Sequence, residues 1–203
     1  MIKNIKTLFC HNKYCFNLIF IKNKSSSISK LSNKNRRLVY IDNLEIDKKV
    51  IANLCYGPSY ISFEYALSYY GLIPEYVSTI TSACFNKKNN KTYNSFNCIF
   101  DYKSIPSKAF PFGITFLKNE EGIRYKIATK EKALCDTLYE KYPVRFIKDL
   151  KILLFEDLRI SPDDFMSLDF ESIKEFGPFY HSNTINTLIK YIGDINDNNR
   201  RNN

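Results

Sequence analysis

The spacing of apolar side chains first marks a short helix with clear ends. Ser62 is a natural N-cap, and Gly71 suits the position just after a helix. Between them the apolar residues fall at i, i+3, i+4 and i+7, on one helical face: Phe63, Ala66, Leu67 and Tyr70. An earlier helix is expected at about 44–55, where Asp42 and Asn43 offer N-cap chemistry.

The period of the pattern changes to two in the middle of the chain. Residues 95–104 alternate as a half-buried strand does, with an apolar side formed by Phe96, Cys98, Phe100 and Tyr102. A second alternation places on one face Ile123, Tyr125 and Ile127. Further strands are expected at 77–85 and 114–117, separated by the polar stretch 86–94. The short connections predict a small, mainly antiparallel sheet.

From residue 129 onward the pattern is helical. Thr129 is placed to cap a helix over 130–142, and another helix is expected near 146–157. Ser161 and Pro162 combine an N-cap with a proline at the first helical position. A last amphipathic stripe consists of Ile185, Leu188, Ile189 and Ile192. The whole pattern predicts an α+β fold, in which helices flank the sheet and the C-terminal part is helical.

Charge divides the chain into a basic start and a neutral remainder. Residues 1–41 contain nine Lys and Arg and no Asp or Glu, so they carry the whole formal charge of +9. Such a segment indicates attachment to a polyanion, nucleic acid first and an anionic membrane second; a solvated basic tail explains it equally well. We divide the chain into a basic N-terminal segment (1–43), a main domain (44–193) and a disordered tail (194–203).

The six cysteines have no regular spacing, which is typical of reduced thiols in a cytoplasmic protein. The most apolar early run, residues 15–21, is much shorter than the roughly 20 residues that span a bilayer. We therefore expect a cytoplasmic protein without a membrane partner. Cys10, His11 and Cys15 lack the further ligands of a structural zinc site, so neither a metal nor another cofactor is expected.

Candidate catalytic groups are few. The sequence contains no phosphate-binding glycine loop, no GxSxG and no HExxH. Glu131 and Asp136 lie five positions apart on one predicted helix, so they point in different directions and are expected to face solvent. We assign no catalytic residue and expect a protein that is not an enzyme.

One enzymatic alternative remains open. Asp101 and Lys103 share the polar face of the strand at 95–104. With Glu64 or Glu75 from a preceding helix, they could hold Mg²⁺ and position water for phosphodiester cleavage. The solvent face of any amphipathic strand has the same pattern, and that is the commoner explanation.

Two longer motifs are more specific than any of these short patterns. Residues 60–75 read YISFEYALSYYGLIPE, and residues 127–139 read IATKEKALCDTLY. Between them Thr81-Ser82 and Phe100-Asp101-Tyr102 fall at matching positions. In this order and spacing the motifs resemble the AbiEi family of antitoxins, from type IV toxin–antitoxin and abortive-infection systems. The resemblance covers residues 36–142 well and the helical part after them more loosely.

The resemblance implies an antitoxin that neutralises a nucleotidyltransferase-like toxin and represses its own operon through an N-terminal winged helix-turn-helix. Residues 35–40 match the wing strand, with Leu38 where a glycine is usual. Residues 1–35 lack three capped amphipathic helices, so this module is expected to be degenerate. The basic residues expected to contact operator DNA are Lys30, Lys34, Arg36 and Arg37.

Two other functions remain alternatives to the antitoxin: a DNA-binding transcriptional regulator without a toxin partner, and the Mg²⁺-dependent nuclease centred on Asp101 and Lys103. The motif residues themselves are expected to serve mainly the fold. Ser62 would cap a helix and Gly71 would end it, while packing is expected of Ala66, Leu67, Ala133 and Leu134.

Overall fold

The computed structural model describes the backbone of residues 5–8, 18–21, 47–95 and 98–201, with side chains within 47–94 and 98–197. These residues form an α+β fold, which confirms the predicted class. The strands are β1 Ile5–Leu8, β2 Leu18–Ile21, β3 Ser59–Ile61, β4 Ile80–Cys84, β5 Lys91–Ser95, β6 Cys98–Ser104, β7 Ile114–Lys118 and β8 Arg124–Ala128. The helices are α1 Lys48–Cys55, α2 Phe63–Tyr69, α3 Lys130–Glu140, α4 Ile147–Lys151, α5 Pro162–Met166, α6 Phe170–Phe176 and α7 Asn183–Arg201.

A six-stranded mixed sheet forms the centre, in the order β5-β6-β4-β3-β8-β7. The pairs β3–β4, β5–β6 and β7–β8 are antiparallel, as the short connections predict. The pairs β4–β6 and β3–β8 are parallel, which the sequence did not predict. After β4 the chain forms β5 at the outer edge of the sheet, antiparallel to the strand that follows it. Strand β6 then lies between β5 and β4 and runs in the same direction as β4.

Helices cover both faces of this sheet. The hydroxyl of Tyr102 on β6 donates to the backbone oxygen of Ala52 in α1, 2.7 Å away. The next residue, Lys103, pairs instead with Glu64 on α2 and Glu140 on α3. Since successive side chains of a strand point to opposite faces, α1 covers one face and the pair α2–α3 covers the other.

The N-terminal part is described only as a two-stranded antiparallel ribbon, in which Ile5 of β1 lies opposite Ile21 of β2. The predicted strand at 36–41, with its match to a wing, lies outside the described residues. The same holds for the cysteines at positions 10 and 15 and for most of the basic segment 1–43.

Helix α1 has a different cap from the one predicted. Asp47 precedes the first helical residue, and its carboxylate accepts a hydrogen bond of 2.8 Å from the backbone N–H of Lys49. Asp47 therefore caps the helix, rather than Asp42 or Asn43. All three side chains offer the same chemistry, so only the position of the first helical turn distinguishes them.

Two strands were missed because they lack alternation. Residues 91–94, predicted as part of a polar connection, belong to the edge strand β5, and their four side chains are exposed. Polar and lysine side chains suit such an edge because they discourage pairing with another chain. Strand β3 is central, and all three of its residues are buried, so neither strand shows a one-sided apolar pattern.

Helix α3 lies between the sheet and the C-terminal helices. The hydroxyl of Thr129 accepts a hydrogen bond from the backbone N–H of Lys132 at its start, so the predicted cap is confirmed. Every residue from 132 to 138 is buried. A helix at the surface of a core buries one stripe, whereas α3 packs against α2 on one side and α6 and α7 on another.

The C-terminal helices follow most of the predicted boundaries. Ser161 caps α5 and Pro162 is its first residue, while α4 continues into a π-helical turn at Ile152–Asp157. Helix α7 buries Ile185, Leu188 and Ile192 as predicted. It then continues to Arg201 where a tail was predicted from residue 194, because Ile195 extends the stripe that packs on the core.

The apolar core confirms the alternation at five positions, whereas Ile123 is only partly buried and Phe96 lies outside the described residues. Cys98, Phe100, Tyr102, Tyr125 and Ile127 are all buried. The cysteines within the described ranges are free thiols, and burial raises the pKa of Cys55 to about 11 and that of Cys84 to about 12. Among helices in the described ranges, none combines the length and apolar composition that a bilayer-spanning segment requires.

Candidate functional site

The predicted DNA-binding residues do not contribute to a described site. Lys30, Lys34, Arg36 and Arg37 all lie outside the described residues. Their interaction with DNA therefore stays a prediction. The motif residues, in contrast, are all described, and they define the candidate site of this chain.

The two motif segments meet at one buried carboxylate. Asp136 on α3 accepts a hydrogen bond of 3.0 Å from the hydroxyl of Tyr60 on β3. The same oxygen, Oδ2, accepts one of 2.6 Å from Ser62 at the start of α2. The motif at 60–75 is thereby joined to the motif at 127–139 through side chains that lie 76 and 74 positions apart.

A buried lysine occupies the other side of this carboxylate. The Nζ atom of Lys132 lies 3.3 Å from Oδ1 of Asp136. It donates at 2.7 Å to the backbone oxygen of Ala109 and at 2.6 Å to the hydroxyl of Tyr180. The Tyr180 hydroxyl donates in turn to Oδ1 of Asp136. The ammonium group therefore has two hydrogen-bond acceptors and an ion-pair partner, which meets the condition for tolerating a buried charge.

These five side chains form what we call the polar junction: Tyr60, Ser62, Lys132, Asp136 and Tyr180. Burial, and next the negative charge of Asp136, raises the pKa of Tyr60 and of Tyr180 well above the usual tyrosine value. Both phenols therefore remain protonated donors. Lysine, tyrosine and carboxylate could exchange protons, but no member of the junction is more than 1% exposed to solvent. Through these hydrogen bonds the junction connects α3 to β3, to the start of α2 and to the 3₁₀ turn Gly177–Tyr180.

Gly113 allows the chain to pass close to the buried lysine. Its φ is +62°, in the left-handed region, and its carbonyl accepts a 2.8 Å hydrogen bond from the backbone N–H of Thr129. A Cβ atom at this position would lie 2.6 Å from Cβ of Lys132. Glycine thus meets two requirements here, backbone conformation and space.

Ser62 sits at the predicted N-cap position, but its side chain has another role. It makes no capping hydrogen bond and binds Asp136 instead. The cap comes from β4, where the hydroxyl of Thr81 accepts from the backbone N–H of Tyr65 at 3.2 Å and donates to the carbonyl of Ser62 at 2.6 Å. Because Thr81 supplies this cap, the Ser62 hydroxyl is free to bind the carboxylate.

The proposed nuclease residues are only partly brought together. Lys103 and Glu64 lie 3.9 Å apart, yet the nearer partner of Lys103 is Glu140, at 2.5 Å. Glu64 accepts a 2.9 Å hydrogen bond from Lys141, and Asp101 accepts one of 2.8 Å from a threonine on β5. Each carboxylate is thus already bound by a cation or a hydroxyl.

The other carboxylate considered for the nuclease lies elsewhere. Glu75 follows α2 and pairs with the guanidinium of Arg159, beyond the π-helical turn. Within the side chains that the structure describes, no group of three or more His, Cys, Asp or Glu is placed to share a metal ion. The Mg²⁺ ligand set expected from the sequence is therefore not assembled by Asp101, Glu64 and Glu75.

Replacing Glu64 by Gln is expected to make the free energy of unfolding less sensitive to acidic pH than it is in the wild type. Burial alone would raise the pKa of Glu64, but the hydrogen bond from Lys141 and the charges of Lys103 and Lys141 hold it below its ordinary value of 4.5. A carboxylate with a lowered folded pKa stabilises the protein above 4.5, and this contribution is lost as pH falls through the folded pKa. Urea unfolding at neutral pH and well below pH 4.5 measures the difference.

The matched control for this experiment is Glu171→Gln, which removes an exposed pair with Lys174. It should leave the pH dependence close to that of the wild type, since exposed pairs contribute little. If Glu64→Gln and the wild type lost the same free energy of unfolding on acidification, the proposed role of Glu64 would be wrong.

The sequence pattern indicated the wrong partner for Asp136. Glu131 and Asp136 were expected to face solvent, but Asp136 is fully buried, and Glu131 accepts a hydrogen bond from the backbone N–H of Asp169. The informative pair was Lys132 and Asp136, four positions apart on one helical face. Tyr180 carries no such local signal, because its role depends on how the C-terminal part packs.

The chain matches no protein-family model, and no curated protein is significantly similar to it. Its function must therefore be inferred from its own geometry and from the two motifs that meet at the polar junction.

Proposed function

We propose that this chain is a cytoplasmic binding protein of the antitoxin type, which neutralises a nucleotidyltransferase-like toxin by binding and not by catalysis. The observation that carries the proposal is the meeting of the two motifs at the polar junction. The segments on which the AbiEi resemblance rests, 60–75 and 127–139, belong to one packed unit. They are thus related in space as well as in sequence order.

The chemistry of the junction also favours binding over catalysis. Its lysine, carboxylate and phenols are enclosed and mutually hydrogen-bonded. Residues that act on a substrate need a path to it. The motifs are best understood as the residues that hold the domain together, while the partner binds at the surface.

Growth rescue tests the proposal. The neighbouring open reading frame is induced alone in a heterologous host and then together with this chain. The expected result is growth arrest with the neighbour alone and recovery on co-expression. A harmless neighbour, or arrest that persists although this chain is soluble, would contradict the antitoxin function and leave DNA-binding regulation as the better explanation.

Variants separate neutralisation from DNA binding. The double variant Arg36→Ala with Arg37→Ala is expected to rescue growth like the wild type while binding operator DNA more weakly, because arginines of a wing contact phosphates. DNA affinity of the wild type should fall steeply with salt, with a log–log slope of about −0.9 per phosphate neutralised. Loss of rescue by a folded double variant would show that the two functions share these residues.

A further inference from the structure

The hairpin formed by β7 and β8 presents one strongly basic face. Register places Phe116 opposite Lys126, and Lys118 opposite Arg124. Directly opposed residues share a face of the sheet, with Cβ atoms about 5 Å apart. All four side chains are exposed, and Phe116 is 60% exposed. The opposite face buries Tyr125 and Ile127 in the core.

Among the described residues, the three cations of this face have no partner. Within the described part of the chain, the side chains of Lys118, Arg124 and Lys126 make neither an ion pair nor a hydrogen bond. The nearest acids along the chain, Glu120 and Glu121, lie in the turn that joins the strands, where they line a groove together with Asp47, Lys49 and Lys118. The charged side chains on the strands themselves, Lys118, Arg124 and Lys126, are all cations, and the acids are confined to the turn end of the face.

We propose that this face, formed by Phe116, Lys118, Arg124 and Lys126, binds single-stranded nucleic acid. Three neighbouring cations without a described partner can neutralise the phosphates of a nucleic-acid backbone. The exposed aromatic ring beside them offers a surface on which any of the bases can stack. A neutral protein partner would instead leave the three cations desolvated without acceptors, which is costly.

The position of Phe116 favours single strands over a duplex. In a duplex the bases are stacked on one another, and the outside presents mainly phosphates and sugars. The ring of Phe116 would then have no base to contact. An unpaired strand can place one base on the ring while its phosphates reach Lys126 across from the ring and Lys118 and Arg124 farther along the hairpin. Glu120 and Glu121 would repel phosphates at the turn and so end the path there.

Fluorescence anisotropy with labelled poly(U) and oligo(dT) tests the proposal on the full chain. Phe116→Ala should weaken binding of the favoured polymer at least about fivefold, the usual loss for one stacked base. Replacing Lys118, Arg124 and Lys126 by Gln should reduce the log–log salt slope by about 0.7 for each phosphate that is no longer neutralised. Phe146→Ala and Lys148→Gln, at exposed positions on another part of the surface, are matched controls that should bind like the wild type.

The absence of tryptophan in the chain permits a direct readout of stacking. Phe116→Trp introduces the sole indole, and a base that stacks on it should quench its fluorescence while affinity is retained. All variants are repeated with Lys30, Lys34, Arg36 and Arg37 changed to Ala, which removes the contribution of the basic segment. The proposal is overturned if neither polymer binds in that background, if a duplex binds as tightly as the single strands, or if Phe116→Ala has no effect.

Discussion

Replacing Asp136 by alanine is expected to lower the free energy of unfolding by about 3–5 kcal/mol, the usual cost of leaving a buried charge without its partner. Lys132 would be left without its ion-pair partner in a fully buried site. Tyr60, Ser62 and Tyr180 would each lose their carboxylate acceptor. Urea unfolding followed by circular dichroism measures the loss as a shift of the midpoint.

A double variant provides the control for this prediction. Lys132→Met combined with Asp136→Ala removes both charges and leaves the same unfilled volume at position 136 as the single variant, so it should be more stable than Asp136→Ala alone. That order would show that the cost arises from the orphaned charge and not from lost volume. A single variant within about 1 kcal/mol of the wild type would mean that the junction contributes little, contrary to the geometry.

Gly113→Ala is the second change expected to have a large effect. The new Cβ atom would meet Cβ of Lys132 at 2.6 Å, and the residue would have to keep a φ of +62°. Strain in the left-handed region costs about 1–2 kcal/mol, and forcing an atom into a packed interior costs about 1–3 kcal/mol more. We expect a combined loss of about 3 kcal/mol in urea unfolding.

Gly122→Ala separates the two contributions. Gly122 has a φ of +77°, but a Cβ atom there would have no other heavy atom within 4 Å. This variant should therefore cost only about 1 kcal/mol, from backbone strain alone. Equal losses for the two variants would show that the approach of Gly113 to Lys132 is relieved by small movements and has no specific importance.

The elements that the sequence predicts well are those with one apolar face and a clear cap. Helix α2 ends at Tyr69, with Gly71 in the left-handed conformation just after it, and α3 begins after Thr129, because capping chemistry is local. Strand β5 has no apolar face because it lies at an edge, and β3 has no polar face because it lies at the centre. Patterns of alternation detect only strands with one buried side.

The site was harder to predict than the fold, because its partners are distant in sequence. Ser62 was placed correctly at the start of α2, but that Thr81 would take over the cap depends on the pairing of β3 with β4. Lys132 and Asp136 are recognisable as a helical pair. Their enclosure by Ala109 and Tyr180, however, follows only from the tertiary packing.

The side chains of the polar junction lie between residues 60 and 180 of the sequence. They therefore become available for packing at different times during synthesis. A chain leaves the ribosome from its N-terminus, so Lys132 and Asp136 emerge before Tyr180, which accepts from one and donates to the other. A nascent chain that ends before Tyr180 therefore keeps this pair open to water, with α3 uncovered on one side. Products that end before Tyr180 should therefore be cleaved by proteases faster than chains that include it.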